Sequence, residues 1–228
     1  MGDRDRESGV RAVLFDMEGT LVSFEWKLEE GQAALREGLT RLGFPQGSFD
    51  QESYATMWNR ALRDPEAPVD EEGLRRHLGP VYDRYDLDAL SHWTLRTGAV
   101  ECVEGLRHDG FSVAVVSNIG RRALGAALGK LGLGDAFDLV LSRDDVRFMK
   151  PDGEGLRRAL THFELAPQHA LFVGDSRTDI LAARDDCHSD TGVPGGESDR
   201  RALDIDPPDF LIASLADVGA LASQQAPG

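Results

Sequence analysis

Two carboxylates separated by a single residue, Asp16 and Glu18, open the segment Asp16-Met17-Glu18-Gly19-Thr20, which directly follows the apolar run 10–15. On an extended chain the intervening Met17 points the opposite way, so both acids face one side. A carboxylate beside a bound phosphate and a cation can act as a nucleophile and form an aspartyl-phosphate. A second carboxyl two residues on can protonate the leaving oxygen and later activate water. Three further polar groups recur at comparable places. Ser117-Asn118 follows a second apolar run, Lys150-Pro151-Asp152 lies shortly beyond a third, and Gly174-Asp175-Ser176-Arg177-Thr178-Asp179 follows a fourth and opens a helix-like stretch.

Asp16, Asp175 and Asp179 offer hard oxygen ligands with no nearby cysteine or histidine, which suits Mg²⁺ rather than zinc. Ser117 and Lys150 are phosphate donors, and the amides near Gly19-Thr20 and Asn118 sit at turns able to cradle an anion. Singly, each signal has a plain structural reading: a strand-end turn, a helix cap, a solvated lysine, an N-cap followed by a helix-dipole aspartate. Four in series, each after a buried strand, point to one phosphate-handling crevice. Lysine is scarce, with only Lys27, Lys130 and Lys150 in the chain. A lysine kept where arginine is otherwise preferred suits a compact point charge.

The elements that must position these groups follow from hydrophobic patterning. The runs 10–15, 111–116, 137–141 and 170–173 read as buried parallel strands, with 210–213 a fifth candidate. Helical patterns at 121–131, 153–163 and 179–184 alternate with them, which predicts an α/β fold with a doubly wound, Rossmann-like parallel sheet. In such a sheet the carboxyl ends of the strands share a crevice where ligands bind. The connection after the first strand is far longer than a crossover requires. It contains the amphipathic series Leu28, Leu35, Leu39, Leu42 and breakers at Gly43-Phe44-Pro45 and between Pro65 and Pro68. The pattern predicts a helical domain over residues 24–96 inserted into a core formed by 1–23 and 97–228. All three tryptophans (Trp26, Trp58, Trp93) and all three tyrosines (Tyr54, Tyr82, Tyr85) fall in this insert, either as its own core or as a wall over the crevice.

Bulk properties narrow the function. The 228 residues are 41% hydrophobic, enough for a sizeable core. No stretch is long and apolar enough to span a bilayer, and the charged start, MGDRDRESG, lacks the apolar run of a signal peptide. A net charge of −15 argues against nucleic acid or an anionic membrane as partner. The acidity fits either a high-salt host or a GC-rich genome. Cys102 and Cys187 form no CxxC and read as reduced thiols of a cytoplasmic protein. Cys187-His188 lacks further ligands at metal-binding spacing and reads as an ordinary loop.

The segments DMEGT, SN, KPD and GDSRTD, in this order and with a helical insert after the first, resemble the four signatures of the haloacid dehalogenase superfamily, and the resemblance spans nearly the whole chain. It is nearest the subgroup that includes phosphoglycolate phosphatase. The resemblance implies a Rossmann-like core, a mobile helical cap, Mg²⁺, and a small phosphorylated metabolite as substrate. It implies that Asp16 is nucleophile and magnesium ligand, and that Glu18 is the acid/base, its main-chain carbonyl also touching the metal. Ser117, Asn118 and Lys150 would hold the phosphoryl oxygens, with Asp175 completing the metal shell and Asp179 as a ligand or its support. Glu18 stands where most such phosphatases have aspartate; the enolase-phosphatase branch resembles this chain in carrying glutamate there. Dehalogenases lack a carboxyl at that position and need no metal, so dehalogenation is disfavoured. A phosphosugar mutase with the same core, or a catalytically impaired interaction protein, are the competing readings. Monomer and homodimer both remain open.

Overall fold

The computed structural model describes residues 9–184, 187, 189–196 and 206–225; residues 1–8 and His188 of the expectations above lie outside them. Its centre is a six-stranded parallel sheet in the order β3-β2-β1-β4-β5-β6. The strands are β1 (Ala12–Phe15), β2 (Ser112–Val116), β3 (Leu139–Leu141), β4 (Ala170–Gly174), β5 (Ser189–Gly192) and β6 (Phe210–Leu211). The expected strands are present, the fifth candidate as a two-residue edge. β5, with the sequence Ser-Asp-Thr-Gly, has no apolar run to announce it.

Period-two alternation assigns each strand residue to a face. Val13, Phe15, Val113, Val115, Leu171 and Val173 fall in one apolar cluster; Ala12, Leu14, Ala114, Val116, Ala170 and Phe172 fall in the other. Helices α4 (Ala99–His108), α5 (Arg121–Lys130) and α8 (Val218–Gln224) cover the first face through Val103, Leu106, Leu124 and Val218. Helices α6 (Glu154–Phe163) and α7 (Arg177–Ala183) cover the second through Leu156, Leu160, Ala182 and Ala183. With both faces of β1, β2 and β4 dry, these strands must be apolar throughout. That is why the sequence shows them as continuous runs.

Between β1 and α4 the chain leaves the sheet and forms α1 (Leu28–Arg41), α2 (Tyr54–Arg63) and α3 (Glu71–Leu90). The breakers act as expected. Gly43 adopts φ 100° just after α1, and the proline-rich stretch after α2 leads to Asp70, whose carboxylate accepts from Gly73 N at 2.8 Å and caps α3. Ser53 and Thr56 form a reciprocal capping box at the start of α2. Both connections of this insertion run side by side: Ser23 N donates to Thr94 O at 2.8 Å and Arg96 N to Leu21 O at 2.9 Å. Among the described residues no helix is long and apolar enough to cross a membrane.

Leu14 is fully buried on the central strand, whereas Val140 on β3 is 37% exposed. Leu14→Ala should cost about 2–5 kcal/mol of unfolding free energy in urea titration and Val140→Ala less than about 1 kcal/mol. Equal costs would contradict a core centred on β1.

Candidate active site

Strand register brings the chemistry together. Phe15 is level with Val115 and with Val173, so Asp16, Ser117 and Asp175 leave adjacent strands at one edge of the sheet. Asp16 N donates to Val173 O, and Ser117 N to Leu141 O, each at 2.9 Å, so the pairing continues just past the strands.

Lys150 is the hub. Its Nζ donates to Asp16 Oδ1 at 2.5 Å and to Asp179 Oδ1 at 2.7 Å, with all three side chains buried. Asp179 occupies the third position of α7, where it accepts from Ser176 N at 3.0 Å and Ser176 Oγ at 2.7 Å through its other oxygen. Asp175 accepts from Thr20 Oγ1 at 2.9 Å. Oxygens of Asp16, Asp175 and Asp179 lie within 4.8 Å of one another. Three buried, hard oxygen donors without cysteine or histidine fit a hard divalent cation, as the sequence suggested.

Burial dominates the electrostatics. Desolvation pushes the Asp16 carboxyl up to about 6, with Lys150 pulling against it and Asp179 adding to it. For Lys150 burial opposes the charge, but Asp16 and Asp179 outweigh it and hold the ammonium above its usual range. Desolvation pushes Glu18 up to about 8, against the opposing hydrogen bonds from Glu25 N and Trp93.

The remaining expected residues converge on the same cavity. Glu18 lines the same cavity as Asp16, Ser117, Asn118, Lys150 and Asp179, and Met17 turns into the core as alternation required. The Glu18 carboxyl, however, stands outside the three-carboxylate group. Its Oε1 accepts from Trp93 Nε1 at 2.8 Å and from Glu25 N at 2.9 Å, both on the insertion's connections. The extra methylene of glutamate carries it there. The carboxamide of Asn118 is committed to the main chain of Lys150: Nδ2 donates to Lys150 O at 3.1 Å and Oδ1 accepts from Lys150 N at 3.0 Å. Its side chain therefore shapes the lysine loop, while Ser117 Oγ accepts from Ile119 N at 3.2 Å and remains at the cavity wall.

Several contributors had no readable role in the sequence. The Thr20 hydroxyl, Trp93 and Asp86 are brought in by packing across long separations. Arg96 donates to the carbonyls of Gly19 and of Pro194, the latter at 2.6 Å, tying the insertion's return path to the loops around Asp175. The one signal available for Arg96 was its place at the expected boundary. The insertion also holds the lysine loop directly: Asn59 Nδ2 donates to Met149 O at 2.6 Å and Asn59 Oδ1 accepts from Met149 N at 2.8 Å. The free space among these side chains is about 20 Å³, room for roughly one water.

A model of the haloacid dehalogenase-like hydrolase family matches residues 10–185. A phosphoglycolate phosphatase of Pectobacterium atrosepticum is 30% identical over 225 residues, covering 92% of each chain. The pyrophosphatase PpaX of Bacillus cereus is 26% identical over 211 residues, covering 92% of this chain and 94% of its own. Among solved structures, a hydrolase from Pseudomonas syringae superposes with a TM-score of 0.69 at 21% identity, covering 95% of this chain and 99% of its own. At that identity the likeness shows the fold.

Gly19 adopts φ 91°, and a Cβ there would run into the Asp175 carboxyl. Gly19→Ala should weaken the binding of a divalent cation by about 10–100-fold in calorimetric titration, with the far-UV circular dichroism retained. Unchanged affinity would remove Asp175 from the cation site.

Proposed function

The chain belongs to the haloacid dehalogenase-like hydrolase family, and from that premise we propose that it is a Mg²⁺-dependent phosphatase acting on a small phosphorylated metabolite through an aspartyl-phosphate. The observation that carries this reading is the buried Lys150 ammonium set between Asp16 and Asp179, with Asp175 beside them. A metal-assisted phosphatase with a carboxylate nucleophile brings that nucleophile, a cation site and a phosphate donor together in one dry place. The names of the relatives, phosphoglycolate phosphatase and pyrophosphatase, support phosphoryl transfer to water as the reaction class.

Asp16, Asp175 and Asp179 would hold the Mg²⁺, with Glu18 contributing its main-chain carbonyl. When bound, the cation supplies charge neutralisation for the phosphoryl oxygens. A free Asp16 oxygen attacks phosphorus, the bond from phosphorus to the leaving oxygen breaks, and Glu18 gives that oxygen a proton. Glu18 then takes a proton from water, which attacks the aspartyl-phosphate and releases phosphate and Asp16. Lys150 and Ser117 hold phosphoryl oxygens during both steps, and Asn118 keeps the Lys150 loop in place. The insertion over residues 24–96 acts as a cap. A space that admits about one water must open to take substrate, and closing it again excludes bulk water during transfer.

Asp16→Asn should abolish Mg²⁺-dependent phosphate release while preserving the melting temperature within a few degrees, and chelation should silence the parent enzyme. Hydrolysis persisting in the variant would eliminate Asp16 as nucleophile. A product that is an isomeric phosphate ester, with no free phosphate, would identify a mutase instead.

Glu18→Gln should lower kcat by about 10²–10⁴-fold. Trp93→Phe removes the indole donor without emptying its pocket and should lower kcat by about 10–100-fold, with little change in KM. In a Glu18→Asp background the same Trp93 change should cost almost nothing further, because the shorter acid no longer reaches the indole. Additive losses in this cycle would show that Trp93 acts through packing alone.

A further inference from the structure

Building on the phosphatase reading, we propose that the substrate's leaving group carries no negative charge: the enzyme takes the phosphomonoester of a small neutral or cationic alcohol. Away from Asp16, Ser117 and Lys150 the cavity is walled by Phe24, Trp26, Tyr54, Ile119, Glu18 and Asp86. Among the described residues lining it, Lys150 is the one cation, and its ammonium is already shared between two carboxylates. The nearby buried guanidinium, Arg143, does not line the cavity. It lies behind Asp86, donating to Asp86 Oδ2 at 2.6 Å and to Asp83, with Asp144 Oδ1 at 3.8 Å. Three carboxylates thus surround one guanidinium, and the face shown to a ligand is the Asp86 carboxylate.

Asp86 is held in that presentation. Trp26 Nε1 donates to Oδ1 at 3.0 Å and Gly120 N to Oδ2 at 2.9 Å, fixing the acid and turning the Trp26 ring against Tyr54, 4.9 Å between centroids. A carboxylate or second phosphate on the leaving group would be desolvated beside the Asp86 carboxylate and electron-rich ring faces, with no further cation among the described lining residues to meet it. Like charges a few ångströms apart in such a place are weakly screened. A hydroxyl can still donate to the lone pair left on Asp86 Oδ1, and an ammonium is favoured by both the acid and the rings. The relatives named for phosphoglycolate and pyrophosphate act on compounds whose leaving group is itself an anion.

The test is phosphate release by the Mg²⁺-loaded full chain from probes matched in size: hydroxyethyl phosphate, phosphoethanolamine, phosphoglycolate and pyrophosphate, with para-nitrophenyl phosphate as a permissive control. The first two should exceed phosphoglycolate and pyrophosphate in kcat/KM by at least about tenfold. Phosphoglycolate or pyrophosphate turned over as well as the neutral ester would overturn the charge inference and leave the phosphatase reading standing. No phosphate from any probe, the aryl ester included, would sink that reading and this inference with it. Phe24→Arg, which adds a guanidinium to the half-buried wall, should raise the ratio of phosphoglycolate to hydroxyethyl phosphate turnover by about tenfold. An active variant with an unmoved ratio also counts against the proposal, and the substrate panel on the parent protein decides the matter should that variant fail to fold.

Discussion

An ammonium buried between two carboxylates sets the terms for everything around it. Asp16, Asp175 and Asp179 crowd their oxygens into one dry corner, and three such charges would repel and lose hydration without compensation. Lys150 supplies a positive charge at 2.5 and 2.7 Å from two of them. Burial of an ion pair is costly unless geometry and further hydrogen bonds repay the desolvation. Here further bonds are present: Asp179 accepts three more from Asp175 N, Ser176 N and Ser176 Oγ, just ahead of α7, and Asp175 accepts from Thr20. The sheet register that aligns Phe15 with Val173 brings these partners level.

Because Lys150 must be held to a fraction of an ångström, its loop is clamped at consecutive residues. Asn118 forms a two-point bond with the main chain of Lys150, and Asn59 forms the same kind of bond with Met149. One clamp belongs to the core and the other to the helical insertion. Trp58 adds a third tie, its indole donating to Arg147 O at 2.9 Å. The lysine loop is therefore the seam where insertion and core meet. In the proposed cycle, opening the insertion breaks the Met149 clamp and leaves the Asn118 clamp intact.

Much of this was legible in the chain because it depends on local pattern. Strands buried on both faces must be unbroken apolar runs, and each run of β1, β2 and β4 ended on the residue that reaches the crevice. The rarity of lysine singled out Lys150. What escaped notice depends on pairings at long range. β5 carries polar Ser189, Asp190 and Thr191, and its pairing with β4 and β6 comes from position in the sheet. Asp86 and Trp93 sit in helix and loop sequence with no spacing that marks them; the site reaches them across 34 and 75 residues, from Gly120 and Glu18. Asn118 was recognised as part of the site but its carboxamide serves the Lys150 main chain. A residue type announces which bonds a side chain can make, and only the fold decides which partner receives them. The aromatic residues answered both alternatives: Tyr82 is buried in the insertion, while Trp26 and Tyr54 wall the cavity.

Glutamate at position 18 illustrates how one methylene links chemistry to motion. An aspartate there would end nearer the main chain, within reach of the crevice but short of the insertion's connections. Glu18 extends to Trp93 Nε1 and Glu25 N, which lie on the returning and outgoing connections of the insertion. Those connections also bond to each other and to the loop after β1. In the proposed reaction the group that carries the proton is thereby held by the segments that move when the cap closes. Exclusion of water, completion of the Met149 clamp and placement of the acid then occur as one event, without a separate search by a long side chain. The longer acid loses more rotamer freedom than aspartate would, and its two hydrogen bonds from the insertion's connections offset that cost.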